Sequence, residues 1–256
     1  MFNNNTGKNK ILDLLTFSFF PVALILLWFL ATKFGWVKAS IIPAPKTVKE
    51  SLVYLLDKNI FIEDAVSSLS RILKGFVIGA SVGIILGILV GMLHVVDNLT
   101  KVFIALFRPV PIIALIPLFI LWMGIGEESK VMVIALGTFW ALLINTIDGI
   151  KGVDKKLVEL GINLGKSKGE IVRSIIFPAA FPSIYTGLRI GITSSIGFVI
   201  TAEMIAASAG VGYRIMYARN MAMPGILFVG IIEIGLFGLV VDLLVLKLQK
   251  YLFRYR

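Results

Sequence analysis

Six apolar stretches separated by short polar segments dominate the pattern of the chain. Their approximate ranges are 14–32, 75–96, 109–126, 131–147, 183–206 and 224–246. Because a helix rises 1.5 Å per residue, roughly 20 apolar residues cross the ~30 Å hydrocarbon core of a bilayer. The pattern therefore predicts an all-α polytopic membrane protein with about six transmembrane helices.

Composition supports this interpretation. Apolar residues make up 58% of the chain, charged residues only 16%, and the mean hydropathy is +0.95. Soluble domains carry about 25% charged residues. The absence of cysteine excludes thiolate metal sites and cysteine nucleophiles, and the single histidine, His94, has no partners at ligand spacing, so we expect no metal site.

The net charge of +10 is distributed over the segments between apolar stretches. This distribution indicates a lipid membrane as the partner of the basic residues, and not nucleic acid. An N-terminus inside the cell places 14 of the 25 Lys and Arg residues on the cytoplasmic side. We therefore expect both termini in the cytoplasm.

The expected organisation is a cytoplasmic tail over 1–13 followed by a single transmembrane domain over 14–256. An outer interfacial segment over 37–70 contains an amphipathic helix near 46–56, which follows Pro43-Ala44-Pro45. The longest polar stretch, 151–182, is expected in the cytoplasm.

Helix signals in this polar stretch predict a helix–turn–helix. Asp154 is suited to an N-cap, and Gly165 to the residue that ends the first helix. Ser167 and Glu170 form a capping box for the second helix, which Pro178 is expected to stop. The apolar stripes of these helices suit either docking to another protein or packing against the membrane domain of the same chain.

The spacing of Glu159, Gly165, Ile175 and Pro178 resembles the "EAA" coupling loop of ABC importer permeases. Further motifs resemble the nitrate/sulfonate/taurine branch of that family: Pro43-Ala44-Pro45, Ser68-Leu69-Ser70-Arg71 with Gly75, Arg108-Pro109-Val110-Pro111, Pro117-Leu118, Trp122-Met123-Gly124-Ile125-Gly126, Pro178-Ala179-Ala180-Phe181-Pro182, Gly187-Leu188-Arg189 and Ala202-Glu203-Met204. Leu160-Gly161 departs from the usual Ala-Ala of the loop, and a glycine inside a helix costs about 1 kcal/mol.

The resemblance implies a type I (MetI-like) permease fold in a bacterial inner membrane. It implies a second permease subunit, in a homodimer, two cytoplasmic ATPase subunits and an extracytoplasmic binding protein. ATP and Mg would then be bound by the partner, with no cofactor and no enzymatic activity on this chain. The residues it assigns to the coupling loop are Glu159, Leu160, Gly161, Gly165, Ser167, Ile175 and Pro178.

The implied function is import of a small hydrophilic solute, such as a sulfonate, taurine or nitrate, by alternating access. Related permeases carry thiamine-precursor pyrimidines or riboflavin, and these stay open as alternatives. A stand-alone secondary transporter is a further alternative, but such a protein should show paired repeats with broken helices, and the sequence shows no such pair.

Polar residues within the apolar stretches are candidates for the translocation path or its gate, because charge in hydrocarbon is costly. The candidates are Glu203, Thr201, Arg189, Glu233, Pro111 and Trp122. Each has a structural alternative: an interfacial anchor for Arg189, an ion pair between helices for the two acids, a kink for the proline and packing for the tryptophan. Gly79, Gly83, Gly87 and Gly91 recur every four residues, which predicts a close helix contact.

Overall fold

A computed structural model describes the backbone of residues 6–252 and the side chains of residues 19–251. The described chain folds into helices joined by short turns. They are α1 (Thr6–Lys33), α2 (Pro45–Asp57), α3 (Ile60–Met92), α4 (His94–Phe107), α5 (Ile116–Met123), α6 (Glu127–Lys151), α7 (Lys155–Asn163), α8 (Lys168–Ile171), α9 (Phe177–Ala206), α10 (Val211–Asn220) and α11 (Pro224–Leu252). A 3₁₀ turn, Ile112–Leu115, precedes α5, and a π-helical turn, Val172–Ile176, joins α8 to α9. The predicted all-α class is confirmed.

Three long helices, α3, α6 and α9, pack around one apolar core. Ile72 of α3, Ile134 of α6, and Ile196 and Val199 of α9 form its buried centre. Thr138 and Ser195 join α6 to α9 by a buried hydrogen bond of 3.0 Å between their hydroxyls. α11 covers this core from one side through Ile234, Phe237 and Val241.

The glycine repeat of α3 lies against α6. A Cβ atom at Gly83 would meet the carbonyl oxygen of Phe139 at 2.7 Å, and one at Gly87 would meet Cβ of Thr146 at 2.6 Å. A Cβ atom at Gly79 would also clash with α6, at the carbonyl oxygen of Ala135, and one at Gly91 would lie in tight contact with Ile150, 3.0 Å from its Cβ. The predicted close contact is therefore confirmed, and these glycines permit it because they lack a Cβ.

Four described helices, α3, α6, the continuous helix Lys168–Ala206 and α11, are long and apolar enough to cross a membrane. α4 and the segment Ile112–Met123 together make a fifth crossing only as a pair bent by 87°. α1 contains the predicted first span. Of the predicted N-terminal tail, residues 1–5 lie outside the described part of the chain, and the backbone from Thr6 onward belongs to α1.

The prediction of one span over 109–126 is wrong. The helix there covers only Ile116–Met123, and the preceding chain changes direction after Phe107. Pro109 and Pro111 have no amide hydrogen to donate, and Pro111 itself is extended, with ψ of 119°. The prolines therefore break this region more completely than a kinked span would.

Residues 37–70, the predicted outer interfacial segment, contain one complete helix and the start of a second. The amphipathic helix within it is confirmed as α2, whose Val48 and Leu55 pack against Val229 of α11. α3 begins at Ile60, so residues 60–70 belong to the same helix as the second predicted span. Hydropathy does not predict this early start of α3, because polar residues such as Asp64 and Arg71 are typical of a loop.

Pro178 does not stop a helix, contrary to the sequence prediction. It lies in the first turn of α9, immediately after the π-helical turn, and Phe177 before it is helical, with φ −60° and ψ −49°. The amide of Phe177 bonds to the carbonyl of Val172, five residues back. This wider turn shifts the hydrogen-bond register just before the proline, where a regular α-helix would clash with its ring.

Candidate functional site

Two groups of candidate residues lie toward opposite ends of α9. The first is the segment from Asp154 to Pro178, here called the hairpin, which leads into α9. The second surrounds Glu203, near the end of α9. Their separation along this helix is about 40 Å, from its rise of 1.5 Å per residue.

The hairpin begins with the predicted N-cap. The carboxylate of Asp154 accepts a hydrogen bond of 2.9 Å from the amide of Lys156, at the start of α7. This bond satisfies one of the amides that a helix start leaves without an intrahelical partner. The first helix signal is therefore confirmed.

The turn of the hairpin is a Schellman motif, in which two amides beyond a helix bond back to its last carbonyls. The amide of Lys166 donates to the carbonyl of Gly161 at 3.1 Å, and that of Gly165 donates to Ile162 at 2.9 Å. Gly165 has a φ of +73°, in the left-handed region that favours glycine. The predicted turn residue is confirmed.

The second helix starts with the predicted capping box. The amide of Glu170 donates to the hydroxyl of Ser167 at 3.3 Å, and the carboxylate of Glu170 accepts from the amide of Ser167 at 2.8 Å. Lys166 adds a bond of 3.0 Å from its ammonium group to the hydroxyl of Ser174. Each turn of the hairpin is thus held by bonds between residues close in sequence.

Gly161 explains the departure from Ala-Ala in the coupling motif. A Cβ atom there would lie 2.7 Å from Cδ1 of Ile175 and 3.2 Å from Cγ1 of Ile171. The glycine therefore lets α7 pack directly on the following helical turns.

An apolar stripe remains exposed on α7. Leu157, Leu160 and Leu164 follow at helical spacing, and Leu164 has 68% of its surface exposed. Glu159 is exposed beside the stripe. The alternative in which both apolar stripes pack on the membrane domain of this chain thus fails for α7, whereas Ile171 of the second stripe is buried.

The second group is here called the polar network. At its centre, Glu203 is only 1% exposed. Its carboxylate accepts hydrogen bonds from the hydroxyl of Ser68 at 2.7 Å, from the guanidinium of Arg71 at 2.6 Å and from the amide of Gly212 at 2.9 Å. Such saturation is what a buried carboxylate requires to remain ionised.

Arg71 connects three elements in the network. It is 5% exposed and forms a two-bond pair with Glu127 at the start of α6, at 2.6 and 2.8 Å. The same guanidinium bonds Glu203 and the carbonyl of Ala209. Arg71 thus contacts two carboxylates with one positive charge. Lys130 supplies a second positive charge by pairing with Glu127 at 2.9 Å.

Asp64 ties the loop after α9 to α3. Its carboxylate accepts from the amide of Gly210 at 2.8 Å and from the guanidinium of Arg214 at 2.7 Å. Arg214 also lies over the rings of Tyr213 and Tyr217, at 5.7 Å from each centroid. The network therefore fixes α3, α6, α9 and α10 to one another.

Next to the network is a cavity of about 30 Å³, whose lining is apolar apart from Ser68 and Glu233. Oε1 of Glu233 is buried and has no hydrogen-bond partner among the described residues. The volume is enough for one or two water molecules. Of the six candidate path residues, all within the described range, only Glu233 lines this cavity.

The remaining path candidates lie apart from this cavity. Arg189 pairs with Asp242 of α11 at 2.8 Å, and the hydroxyl of Thr201 donates to the carbonyl of Gly197. Pro111 precedes the 3₁₀ turn, and Trp122 is exposed near the end of α5, edge-to-face with Phe119. The structure therefore groups Glu203 with Glu233 through Ser68 and separates the other four.

Sequence reasoning missed Asp64, Glu127 and Arg214 as members of the network. The sequence pattern places Ser68 and Arg71 in a family motif but does not predict that they are buried. Asp64, Glu127 and Arg214 lie near the starts of their helices, where charged residues ordinarily face solvent, so the sequence pattern does not predict their burial. One signal in the sequence pointed to a polar helix face here. Asp64 and Arg71, which are opposite in charge, lie seven residues apart and so share one face of a helix.

Comparisons with known proteins agree with this geometry. Residues 79–254 match the family described as "Binding-protein-dependent transport system inner membrane component". A putative ABC transporter permease protein of Methanocaldococcus jannaschii is 39% identical over 79% of this chain and 78% of its own length. A putative aliphatic sulfonates transport permease protein of Bacillus subtilis is 34% identical over 92% of this chain and 86% of its own.

Among solved structures, an amino acid ABC transporter crystallised with histidines shares the fold. It superposes with a TM-score of 0.64 at 17% identity, over 80% of this chain and 98% of that chain. The curated relatives include permeases named for sulfonate, taurine and nitrate transport, so the resemblance to that branch is confirmed.

Proposed function

The chain belongs to the family of inner-membrane components of binding-protein-dependent transport systems, and we propose that it is the permease subunit of an ATP-driven importer for a small anionic solute. The observation that carries the proposal is the hairpin. Its turns are held by local hydrogen bonds, yet it exposes an apolar stripe and Glu159 on α7, as a surface that docks to another protein should.

The coupling role follows from how the hairpin is attached. The hairpin continues through the π-helical turn into α9 without a flexible linker. A displacement of α7 by a bound ATPase would therefore be transmitted to α9, which packs on α3 and α6. The two helices of the hairpin, α7 and the helix that begins at Lys168, are kept together by Gly165, Ser167 and Ile175. The ATPase would contact Glu159 and Leu160 on α7.

The polar network is the proposed gate at the other end of α9. Glu203 and Arg71 hold α9, α3 and α6 closed, and a motion of α9 would have to break or shift these pairs. Glu233, next to the network, and Ser68, within it, would meet solvent or solute when the gate opens. In this proposal Thr201, Trp122 and Pro111 line the path, and the Arg189–Asp242 pair joins α9 to α11 near the hairpin.

The proposed substrate class is an aliphatic sulfonate or a similar oxyanion such as taurine or nitrate. Support comes from the names of relatives that are similar to this chain in sequence over most of its length. We propose a homodimer in a bacterial inner membrane, with both termini and the hairpin in the cytoplasm. Two ATPase subunits would supply the energy there, and a binding protein would deliver the solute at the opposite face.

The test is charge reversal at Glu159 in cells that carry the whole transporter. Glu159→Lys should reduce co-purification of the ATPase and solute uptake at least tenfold, because the reversed charge lies on the docking surface. Membrane insertion and the amount of permease should not change. Co-purification and uptake of a labelled sulfonate are measured in the same membranes.

The matched control is Glu50→Lys, an equal charge reversal at an exposed position of α2. It should leave co-purification of the ATPase at the wild-type value. If Glu159→Lys retains full uptake and the ATPase, the hairpin is not the coupling element. If uptake persists in vesicles that contain this chain without an ATPase, the importer proposal itself is wrong.

A further inference from the structure

α4 carries an apolar stripe that no described residue covers. Val95, Leu99, Val102 and Leu106 follow at helical spacing, with 64% to 77% of their surface exposed. The inner side of the same helix is anchored, because Val96 and Ile104 pack on Val90, Leu143 and Ile147. α4 is therefore held in place with one apolar side facing outward.

On another side of α4 lies a charged groove of about 250 Å³, between this helix and the end of α6. Its charged lining residues are Asp97, Lys101, Arg108, Asp148 and Lys151. Lys151 pairs with Asp97 at 2.6 Å, so these two charges neutralise each other within the groove. Lys101 and Arg108 then face one acid, Asp148, so the groove carries an excess of one positive charge.

The groove lies at the ends of two helices that are long and apolar enough to cross a membrane. α4 follows the end of one membrane-spanning helix, α3, and its groove is shared with the last turn of another, α6. It is bent by 87° from the helices that follow. An amphipathic helix at this level lies in the interface, with its apolar side toward the acyl chains and its charged side toward the head groups.

We propose that this groove binds the phosphate of an anionic phospholipid, whose acyl chains cover the apolar stripe of α4. Lys101 supplies a point charge, and the guanidinium of Arg108 can donate two hydrogen bonds to one phosphate. Basic pockets between membrane helices on the cytoplasmic side are suited to anionic head groups. The proposal rests on the membrane orientation given in the proposed function.

The test compares phosphatidylglycerol with phosphatidylcholine on the purified full chain in detergent. At tenfold excess over its Kd, phosphatidylglycerol should raise the Tm of the wild type by about 4 °C, and phosphatidylcholine should not. Native mass spectrometry should show phosphatidylglycerol retained on the chain. Inorganic phosphate, tested alone, distinguishes a free anion from a lipid head group.

The double variant Lys101→Gln/Arg108→Gln should lose more than half of this shift and the retained lipid. Its matched control is Lys247→Gln/Lys250→Gln, which removes two exposed cations near the end of α11, outside the groove. The control should keep the wild-type shift. If the groove variant does not fold, the single variants Lys101→Gln and Lys101→Arg make the same comparison, since only the second keeps the charge.

Equal shifts in the two double variants would overturn the proposal, and so would a shift reproduced by inorganic phosphate alone. A second copy of the chain is the competing occupant of the stripe. In that case Leu99→Gln/Leu106→Gln would change the mass of the oligomer and leave the amount of retained lipid unchanged, which would also overturn the proposal. None of these measurements involves transport or an ATPase, so failure here is distinct from failure of the importer proposal.

Discussion

The hairpin and the polar network, toward opposite ends of α9, are stabilised in opposite ways. The hydrogen bonds that shape the hairpin join residues separated by at most eight positions, as in the Ser167–Glu170 capping box and the Lys166–Ser174 pair. In the network, Ser68 and Arg71 bond to Glu203 across 135 and 132 positions. One region is organised by the local chain and the other by the packing of distant helices.

Exposure is inverted between the two regions as well. The hairpin leaves leucines exposed, whereas the network buries charges. Covering exposed apolar groups with a partner stabilises the protein. Removing the partner of a buried charge destabilises it. The contrast teaches that the hairpin can bind or release a partner protein and keep its conformation. The polar network, in contrast, can rearrange only if its ion pairs and hydrogen bonds break.

The largest expected effect comes from removing the cation of the network. Arg71→Gln leaves Glu203 and Glu127 without their shared counter-charge and should cost about 3–5 kcal/mol. The Tm of the purified chain should fall by roughly 10 °C. Hydrogen exchange in the hairpin should stay at the wild-type rate, because its bonds are local.

Lys74→Gln provides the control for Arg71→Gln, since Lys74 lies one turn further along α3 and is exposed. It should change stability by no more than about 0.5 kcal/mol. If the Arg71→Gln and Lys74→Gln variants have the same Tm, the polar network does not stabilise the packing of α3, α6, α9 and α10. If Arg71→Gln also loosens the hairpin, the two regions are not independent.

This division also explains what the sequence could predict. Asp154, Gly165 and the Ser167–Glu170 box are signals whose partners lie within a few residues, so the hairpin was predictable from its own sequence. The glycine repeat of α3 was likewise readable, because its spacing alone indicates one face of a helix. Each feature depends on helical geometry that is independent of the rest of the chain.

Features that depend on distant packing were not predictable. Asp64 and Arg71 look like residues of a polar loop until α9 and the following loop surround them, so the start of α3 was placed too late. The π-helical turn before Pro178 has a similar cause. Proline is a reliable helix stop only when the preceding turn is regular, and nothing in the local sequence announces a wider one.

A smaller effect is expected within the hairpin at Gly161. Gly161→Leu would force a side chain against Ile175 and Ile171 and should cost about 1–3 kcal/mol, confined to the hairpin. The amide of Lys166, which bonds to the carbonyl of Gly161, should exchange roughly tenfold faster. Exchange measured by mass spectrometry on the purified chain reports this directly.

Gly169→Leu is the matched control for Gly161→Leu, because a Cβ atom at Gly169 meets nothing within 4 Å. Replacing this glycine should stabilise the helix slightly, since leucine is the better helix former. The two substitutions are therefore expected to have opposite signs. The same sign for both would mean that α7 does not pack closely on the second helix of the hairpin.

The smallest effect is expected at the capping box, where the comparison is sharpest. Ser167→Ala removes the hydroxyl that accepts from the amide of Glu170 and should cost about 1 kcal/mol. Exchange of that amide should rise about fivefold, and Ser167→Thr should restore it, because threonine keeps the accepting oxygen. The Tm of the whole chain should not move, since the polar network does not depend on this bond. A drop in Tm with Ser167→Ala would show that the second helix of the hairpin contributes to the stability of the whole chain. The hairpin, organised by local bonds, and the polar network, organised by distant packing, would then not be independent.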